Sequence, residues 1–403
     1  MKKPVLTIFY QYNPWASSIG GIQTVINSFI KYAPSNFELR MVGTCEDSSQ
    51  VGEWQYLEYA GRKVSFFPII AIKDDNIRHL IPTTVKYTAA LLRLNLASDF
   101  MHFHRLEPTV AALKWKGNKT FFIHNDIEEK MNPADSRNKM LWAYFPAVYF
   151  ALEKMLIQQF ARIYSCNNKA SKFYQQKYPN LSERITYLKN AVDTDIFHPL
   201  QAEQLLQKRE ELAKQLNLSI NTKFILFAGR LHPQKDPVLL VKAFAALAEP
   251  DAHLLIVGDG ELAEAVRSEV VACGLSKRVS LMGSLKQEQL FDLYCIASVF
   301  ALSSVYEGLP IAVLEALACG TPIVTTNCGE TPNLLTVQTG VVARERSPEA
   351  IAAALSQVLQ NPAIYPAEDC VRVARPYTAK AVVRDVYQDM FDHWEAAKLP
   401  SSR

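Results

Sequence analysis

The sequence lacks the marks of a disulfide-stapled protein, of a membrane-spanning protein and of a secreted protein. Its seven cysteines are odd in number and scattered, with no CxxC or Cys/His finger spacing, which is typical of reduced thiols in a cytoplasmic protein. The longest nearly unbroken apolar run, residues 140–152, contains Pro146 and is shorter than the roughly 18 residues that a spanning helix needs. Residues 1–14 contain no apolar signal core and no small-residue cleavage site, so we expect no signal peptide and a cytoplasmic location.

The net charge is also small, and the charged residues are unevenly distributed along the chain. The formal net charge is only +3 over 403 residues, which argues against a nucleic-acid-binding protein. Residues 1–200 carry 24 Lys and Arg against 17 Asp and Glu, whereas residues 201–403 carry 19 against 23. An excess of positive charge on one half favours contact of that half with a membrane or an anionic ligand. The length of the chain predicts two domains.

Short apolar runs alternate with helical patterns along the whole chain. In the first half, a β-branched and aromatic run at 5–10 is followed by the Gly20-Gly21 pair and by helical spacing at 22–32. Further strands are predicted at 39–43, 64–70, 100–103 and 120–123, and a long helical region at 147–178. In the second half, strands are predicted at 224–228, 253–257, 279–282, 299–302, 322–326 and 340–342, and helices at 237–248, 261–273, 287–297, 310–319 and 348–360. This alternation predicts an α/β protein of two Rossmann-like halves, with parallel sheets covered by helices on both faces.

The strongest single motif is VYEGLPIAVLEALACGTPIVTTN, residues 305–327. The pattern places Glu307 on a loop after a buried strand, Pro310 in the first turn of the next helix and Glu315 further along that helix. Gly320 then caps the helix. Free backbone N–H groups at a helix N-terminus favour phosphate binding, and carboxylates are suited to accept hydrogen bonds from sugar hydroxyls. The alternative is an ordinary strand–loop–helix with two solvated glutamates.

This segment and three others resemble one enzyme family in order and spacing. Glu307 and Glu315, with seven residues between them in EGLPIAVLEALACGTPIV, resemble the signature of the retaining GT-B glycosyltransferases, in particular the family 4 group (glycosyl transferases group 1). Three further stretches resemble the family's Arg/Lys strand–loop–helix, its next Gly loop and its interdomain segment: FAGRLHPQKDPVLLVKAF (227–244), LLIVGDGELAEAV (254–266) and NAVDTDIFHP (190–199). The resemblance covers nearly the whole second half, with scattered support in the first.

The resemblance implies an architecture and a reaction. It implies two Rossmann-like domains that face each other across a cleft: an acceptor-side domain at 1–198 and a nucleotide-sugar-binding domain at 199–376. An amphipathic C-terminal helix at 377–403 is expected to pack back toward the first domain. The implied reaction transfers a hexose from a UDP- or GDP-linked sugar to a hydroxyl acceptor with retention, without a metal or other cofactor, in polysaccharide or cell-envelope glycan biosynthesis. A lipid-linked acceptor and a small soluble acceptor both stay open.

The resemblance also assigns roles to residues. The catalytic roles fall on His124, which would face the donor sugar, and on Glu307. The donor-binding roles fall on Gly21, Arg230, Lys235, Gly258, Leu285, Gly308, Leu309 and Glu315. Among these, the two cations would hold the diphosphate, Glu315 the ribose, and Glu307 with the backbone from Gly308 the hexose. No enzyme nucleophile is evident, so we expect a front-face reaction in which the departing phosphate oxygen accepts the acceptor's proton. The alternatives are solvated cations and a strand-end histidine without a catalytic role.

Three motifs suggest other functions but are incomplete. Residues 258–263 fit GxGxxA after a strand, yet no carboxylate follows about 20 positions on to hold a ribose, which argues against a nicotinamide-dependent oxidoreductase. The DxD triplet at 193–195 lies inside the predicted interdomain segment, which we favour over a metal site. His102, His104 and His124 lie on adjacent predicted strands, but no Cys or carboxylate set completes a zinc site. A non-catalytic sugar-binding protein of the periplasmic kind is argued against by the expected lack of a signal peptide.

Residues 73–96 mix cations with apolar side chains. The cations are Lys73, Arg78, Lys86 and Arg93, and the apolar positions are Leu80, Ile81, Val85, Leu91 and Leu92. Such a segment is suited to an anionic bilayer or to a lipid-diphosphate acceptor, which predicts peripheral contact with the inner face of the membrane. The alternative is a loop and helix packed in the first domain with solvated cations.

Overall fold

The computed structural model describes residues 3–15, 21–72, 81–124 and 146–396. The chain forms two compact units: the first contains the chain up to Lys189 together with the chain from Lys380, and the second is Asn190–Ala379. Each unit has its own parallel-rich sheet and its own hydrophobic core. The C-terminal helix therefore belongs to the first unit, although it follows the second unit in sequence.

The first unit is built on an eight-stranded sheet. Its strands are β1 (Val5–Phe9), β2 (Glu38–Cys45), β3 (Gln55–Tyr59), β4 (Arg62–Ala71), β5 (Phe100–Phe103), β6 (Asn118–Ile123), β7 (Arg162–Ser165) and β8 (Ile185–Tyr187). They lie in the order β3-β4-β2-β1-β5-β6-β7-β8, and every neighbouring pair is parallel except β3–β4. β1 buries every one of its residues, as expected for a parallel strand covered on both faces.

The second unit is built on a six-stranded sheet that is parallel throughout. Its strands are β9 (Lys223–Ala228), β10 (Ala252–Val257), β11 (Val279–Gly283), β12 (Val299–Leu302), β13 (Ile323–Thr325) and β14 (Gly340–Val342). They lie in the order β11-β10-β9-β12-β13-β14. The chain starts at β9 in the middle of the sheet, builds outward to β11, and then crosses to β12 on the other side. The strand order therefore reverses between β9 and β12.

Helices cover both sheets. Those of the described residues are, in chain order, α1 (Gly21–Lys31), α2 (Thr83–Leu91), α3 (Pro146–Leu156), α4 (Asn168–Lys177), α5 (Ala202–Gln215), α6 (Pro237–Ala246), α7 (Ala263–Ala272), α8 (Gln287–Ile296), α9 (Ile311–Ala318), α10 (Thr331–Leu334), α11 (Pro348–Gln360), α12 (Ala367–Ala374) and α13 (Ala379–Ala396). The last helix buries Val383, Val386 and Tyr387 in the first unit, where the Tyr387 hydroxyl donates to the Phe29 carbonyl over 2.8 Å. Its apolar stripe is thereby covered.

The α/β fold of two Rossmann-like halves predicted from the sequence is confirmed. Between residues 224 and 360, each predicted strand and helix begins and ends within two residues of its observed position. The long helical region predicted at 147–178 is wrong, because β7 separates α3 from α4. β7 has only four residues, and its central Ile163 and Tyr164 are buried between β6 and β8. The strand conformation of these residues depends on pairing within the sheet. The apolar pattern of the flanking helices continues through β7, so the sequence gives no sign of the strand.

Candidate functional site

The carboxyl ends of β9 and β12 mark the expected ligand site of the second unit. In an open parallel sheet, ligands bind outside the carboxyl ends of the strands at the point where the strand order reverses. Arg230 lies just beyond the end of β9, Gly258 directly follows β10, and Glu307 lies in the loop after β12. The fold thus brings to one edge three residues that the sequence predicts from separate motifs.

Lys235 and Glu307 form an ion pair at this edge. Lys235 Nζ lies 2.5 Å from Glu307 Oε1, and the two side chains are only 20% and 7% exposed. Ser304 Oγ donates a hydrogen bond to the same carboxylate oxygen over 2.7 Å. The alternative of a solvated Glu307 is therefore wrong. A lysine ammonium has three N–H donors, so Lys235 can hold Glu307 and still donate to a phosphate.

The loop that carries Lys235 is held in place by its neighbours. Asp236 adopts a left-handed conformation with φ of 42° and caps α6 by accepting from the Leu239 N–H over 3.2 Å. Ser303 Oγ donates to the carbonyl oxygens of Lys235 and Asp236, at 3.0 and 2.8 Å. Arg346 pairs with the Asp236 carboxylate. These contacts fix the direction from which the lysine reaches the carboxyl edge of the sheet.

Gly258 allows two loops of the site to approach closely. Its φ is 132°, and a Cβ placed on it would lie 1.9 Å from the Gly229 carbonyl oxygen, so no other residue fits this backbone. Its N–H donates to the Gly283 carbonyl over 2.8 Å. Arg230, next to Gly229, is exposed. Leu285, just beyond β11, is half-buried.

The loop before α9 presents backbone rather than side chains. Pro310 is the N-cap of α9, so the helix begins one residue later than predicted. The Leu309 side chain is buried, and its carbonyl oxygen accepts a hydrogen bond from the Asn190 amide over 2.7 Å. The Gly308 carbonyl accepts from the Glu330 N–H over 2.9 Å. Gly308 and Leu309 can therefore contribute to a ligand site only through their main chain.

Glu315, on the second turn of α9, is buried and has an unusual partner. The Tyr294 hydroxyl on α8 donates to Glu315 Oε2 over 2.9 Å. Burial raises the pKa of the Glu315 carboxyl to about 7, and the hydrogen bond from Tyr294 opposes that rise. The alternative of a solvated Glu315 is therefore also wrong. A carboxyl group with a strongly perturbed pKa beside a reversal in strand order is typical of a functional site.

In the first unit, the structure brings together two of the three histidines singled out from the sequence. His104 follows β5 and His124 follows β6, and His104 Nδ1 lies 2.8 Å from His124 Nε2. The His104 ring stacks on Phe122 with centroids 4.7 Å apart. Burial, followed by the nearby His124 and His102 rings, holds the pKa of His104 well below its usual value. His104 is therefore a neutral partner of His124, a pairing that the sequence motif did not predict.

The remaining predicted residues are placed as follows. Gly21 is the first residue of α1 and is exposed, whereas Gly20 and residues 73–80 lie outside the described residues. Within the described ranges, no group of three or more His, Cys, Asp or Glu side chains is placed to hold a metal ion. In the DxD triplet, Asp193 Oδ1 accepts from the Asp195 N–H over 3.1 Å, which forms a turn. No helix among the described residues is long and apolar enough to cross a membrane.

A family model matches most of the second unit. Residues 208–375 match the family model of the glycosyl transferases group 1. This stretch contains the loops after β9, β10, β11 and β12, together with Tyr294 and Glu315 on α8 and α9. The resemblance predicted from the sequence is confirmed over this stretch of the chain.

Individual relatives share 28% to 31% identity with part of this chain. The chain is 28% identical over 221 residues to a D-inositol 3-phosphate glycosyltransferase of Corynebacterium glutamicum, covering 51% of this chain and 52% of the relative. It is 31% identical over 185 residues to a GDP-mannose-dependent monoacylated alpha-(1-6)-phosphatidylinositol monomannoside mannosyltransferase of the same species, covering 44% and 47%. The match thus spans about half the length of these relatives.

Several solved structures are similar over nearly the whole chain. One of them is a sucrose-phosphate synthase from Thermosynechococcus elongatus, with a TM-score of 0.77 and 17% identity, covering 98% of this chain and 100% of that one. At this identity the likeness concerns the fold alone. The GT-B architecture of two Rossmann-like units, implied by the resemblance in sequence, is confirmed.

Proposed function

We propose that this protein is a retaining, metal-independent glycosyltransferase that moves a hexose from a nucleotide-diphosphate sugar to a hydroxyl acceptor. The observation that carries the proposal is the Lys235–Glu307 ion pair at the carboxyl edge where the strand order of the second sheet reverses. A cation and a carboxylate held together at this edge suit a donor that joins a diphosphate to a sugar.

The donor is proposed to bind the second unit. Lys235 and Arg230 neutralise the diphosphate, whose negative charge grows as it departs. Glu307 and the main chain of Gly308 and Leu309 hold the hexose. The second half of the sequence is net acidic, so its net charge does not attract an anionic donor. The attraction has to come from these local cations and from the N-terminus of α9. A relative whose name specifies GDP-mannose supports a UDP- or GDP-linked donor, without choosing between them.

The nucleoside is proposed to lie against three elements of the same unit. Glu315 accepts from the ribose, the loop at Gly258 borders the nucleotide, and the main chain at Leu285 meets the base. Each of these residues lies at or near the carboxyl end of a strand, or on α9. No further cofactor is proposed.

The reaction is proposed to proceed on one face of the sugar. The bond between the anomeric carbon and the phosphate oxygen breaks, the acceptor oxygen bonds to the same face, and the departing phosphate oxygen takes the acceptor's proton. Positioning and charge stabilisation then supply most of the rate. Two residues of the first unit are also proposed to take part. His124 acts on the transferred sugar, and the main chain at Gly21 approaches the donor phosphates.

The acceptor is proposed to be lipid-linked and to serve cell-envelope glycan synthesis, with the protein bound to the inner face of the membrane. The supporting observation is on and beside α2, where Ile81, Val85 and Leu92 are 50%, 51% and 58% exposed. Lys86 and Arg93, both exposed, lie among them. Exposed apolar side chains mixed with cations suit an anionic bilayer. A relative that acts on a phosphatidylinositol mannoside agrees with this acceptor class.

A thermal-shift panel of UDP-, GDP- and ADP-sugars tests the donor assignment. A ligand that binds only the folded protein raises the unfolding midpoint by mass action. We expect at least one nucleotide sugar to raise the midpoint in the wild type, and we expect no rise with NAD. A rise with NAD and with none of the nucleotide sugars would favour the oxidoreductase alternative.

A further inference from the structure

We propose that Tyr294 is a positioning residue for donor binding, which acts by keeping the Glu315 carboxylate ionised and oriented for the ribose. This inference rests on the proposed function, in which Glu315 holds the ribose of the donor. Tyr294 lies outside the four stretches that resemble the glycosyltransferase family.

The two side chains form an isolated buried pair. Tyr294 has no exposed surface and Glu315 is 8% exposed. Within the described parts of the chain, Tyr294 is the one side chain that donates to this carboxylate, over 2.9 Å, and no Lys, Arg or His forms an ion pair with it. A buried carboxylate without a cation is costly to keep ionised. The Tyr294 hydrogen bond is the contact that offsets part of this cost.

Two aromatic rings and a main-chain hydrogen bond hold Tyr294 in place. The ring is packed edge-on to Phe197, with centroids 5.8 Å apart, and tilted against Phe300, with centroids 5.5 Å apart. The Tyr294 carbonyl accepts from Thr321 Oγ1 over 2.5 Å, just beyond the end of α9. α8 and α9 are thus joined at two points, and the phenol is aimed at Oε2.

In this geometry the two oxygens of the Glu315 carboxylate have different partners. Tyr294 occupies Oε2, and a carboxylate has acceptor positions on both oxygens, so Oε1 is left for a ribose hydroxyl. A protonated carboxyl would carry an O–H donor on one oxygen and would be a weaker acceptor. Burial raises the pKa of Glu315 to about 7 and the Tyr294 hydroxyl lowers it, so removing the hydroxyl raises the pKa further.

Few other groups act on Glu315. α8, α12 and β13 pack against α9. The titratable residues on these elements are Glu288, Asp292, Tyr294, Cys295, Glu368, Asp369, Cys370 and Arg372. Asp292 pairs with Lys208, and Arg372 pairs with Asp369. On α9 itself, burial keeps the C-cap Cys319 thiol neutral by raising its pKa well above the usual value. Tyr294 is therefore the group whose removal most changes the ionisation of Glu315.

The test compares Tyr294→Phe with the wild type in calorimetric binding of UDP, GDP and ADP between pH 6 and pH 9. Loss of the Tyr294 hydrogen bond favours the neutral carboxyl, so it reduces the ionised fraction of Glu315 strongly at pH 6 and hardly at all at pH 9. We expect the Kd of the bound nucleotide to rise about tenfold at pH 6 and to match the wild type at pH 9. Tyr365→Phe, which alters another buried tyrosine of the same unit, is the control and should leave the Kd unchanged at every pH.

A second measurement separates this inference from the proposed function. The ionisation of Glu315 can be followed by NMR of a ¹³C-labelled carboxyl group without any nucleotide, and its midpoint should rise in Tyr294→Phe. If that midpoint does not move, or if the Kd changes equally at all pH values, the role of Tyr294 is refuted. If instead Glu315→Gln leaves nucleotide binding unchanged, the ribose assignment fails. In Glu315→Gln, the further change Tyr294→Phe should have no additional effect on the Kd.

Discussion

Lys235 and Glu307 are 72 positions apart in the sequence, and their Nζ and Oε1 atoms lie 2.5 Å apart. One follows β9 and the other follows β12, two strands that are neighbours in the sheet only because the strand order reverses between them. Both side chains are largely buried, so neither can lose its partner without leaving an uncompensated charge. The pair links the fold of the second unit to its proposed chemistry.

Replacing Lys235 with methionine removes the ammonium and keeps most of the aliphatic stem. We expect kcat to fall by about 10²-fold or more, because charge on the departing diphosphate is no longer neutralised. Lys242→Met is the matched control, since Lys242 lies on α6 just beyond the same loop and is exposed. Steady-state release of nucleoside diphosphate measures both variants. Near-wild-type turnover in Lys235→Met would refute the phosphate assignment.

Gly258→Ala tests the close approach of the two loops. A Cβ at this position meets the Gly229 carbonyl at 1.9 Å, whereas a Cβ at Gly274, also at positive φ, meets no atom within 4 Å. We expect Gly274→Ala to lower the free energy of unfolding by about 1 kcal/mol from backbone strain alone. Gly258→Ala should lower the free energy of unfolding by more than this, by about 3 kcal/mol. It should also weaken nucleotide binding. Urea denaturation and calorimetry measure the two effects, and equal losses in both variants would contradict the contact.

The secondary structure of the second unit was largely predictable because its strands are short apolar runs between helices of ordinary length. β9 reads FILFA after Lys223 and β10 reads HLLIV after Ala252, so local pattern and burial agree. β3 and β8 were not predicted. β3 is an antiparallel edge strand without a fully buried residue, and β8 has only three residues.

The position of the candidate site could be predicted from the sequence, but its contacts could not. Arg230, Gly258 and Glu307 could be placed at one edge of the sheet because each follows a strand of a parallel sheet. The partners of Glu307 and Glu315 could not be found in the same way. Tyr294 lies 21 positions before Glu315 on a neighbouring helix, and only the packing of α8 against α9 brings the two side chains together.

His104 is expected to orient His124. His104→Phe removes the nitrogen that contacts His124 Nε2, and we expect kcat to fall about tenfold or more while the Kd for nucleotide stays unchanged. His104→Asn, which can place an amide nitrogen near the position of Nδ1, should recover part of the loss. His102→Phe is the control, because neither ring nitrogen of buried His102 has a hydrogen-bond partner among the described residues. A fall in nucleotide affinity that matches the fall in kcat would indicate a general structural defect instead.

The face around α2 is expected to bind anionic membranes. Wild-type protein should float with vesicles that contain anionic lipid at low salt, and high salt should release it, because screening weakens the attraction to Lys86 and Arg93. The double variant Val85→Ser with Leu92→Ser should float less. Leu206→Ser on α5 of the second unit removes a similarly exposed leucine and should have no effect. If the wild type does not float at low salt, a soluble acceptor becomes the better hypothesis.

The most direct test of the proposed transfer reaction is release of nucleoside diphosphate from a panel of UDP- and GDP-hexoses, measured with lipid-linked and soluble hydroxyl acceptors. We predict acceptor-dependent release from at least one donor by the wild type, its loss in Lys235→Met, and a product with the anomeric configuration of the donor by NMR. Release that yields the opposite configuration would contradict retention. No acceptor-dependent release from any donor, with both acceptor classes present, would contradict the assignment of this chain as a glycosyltransferase acting on them.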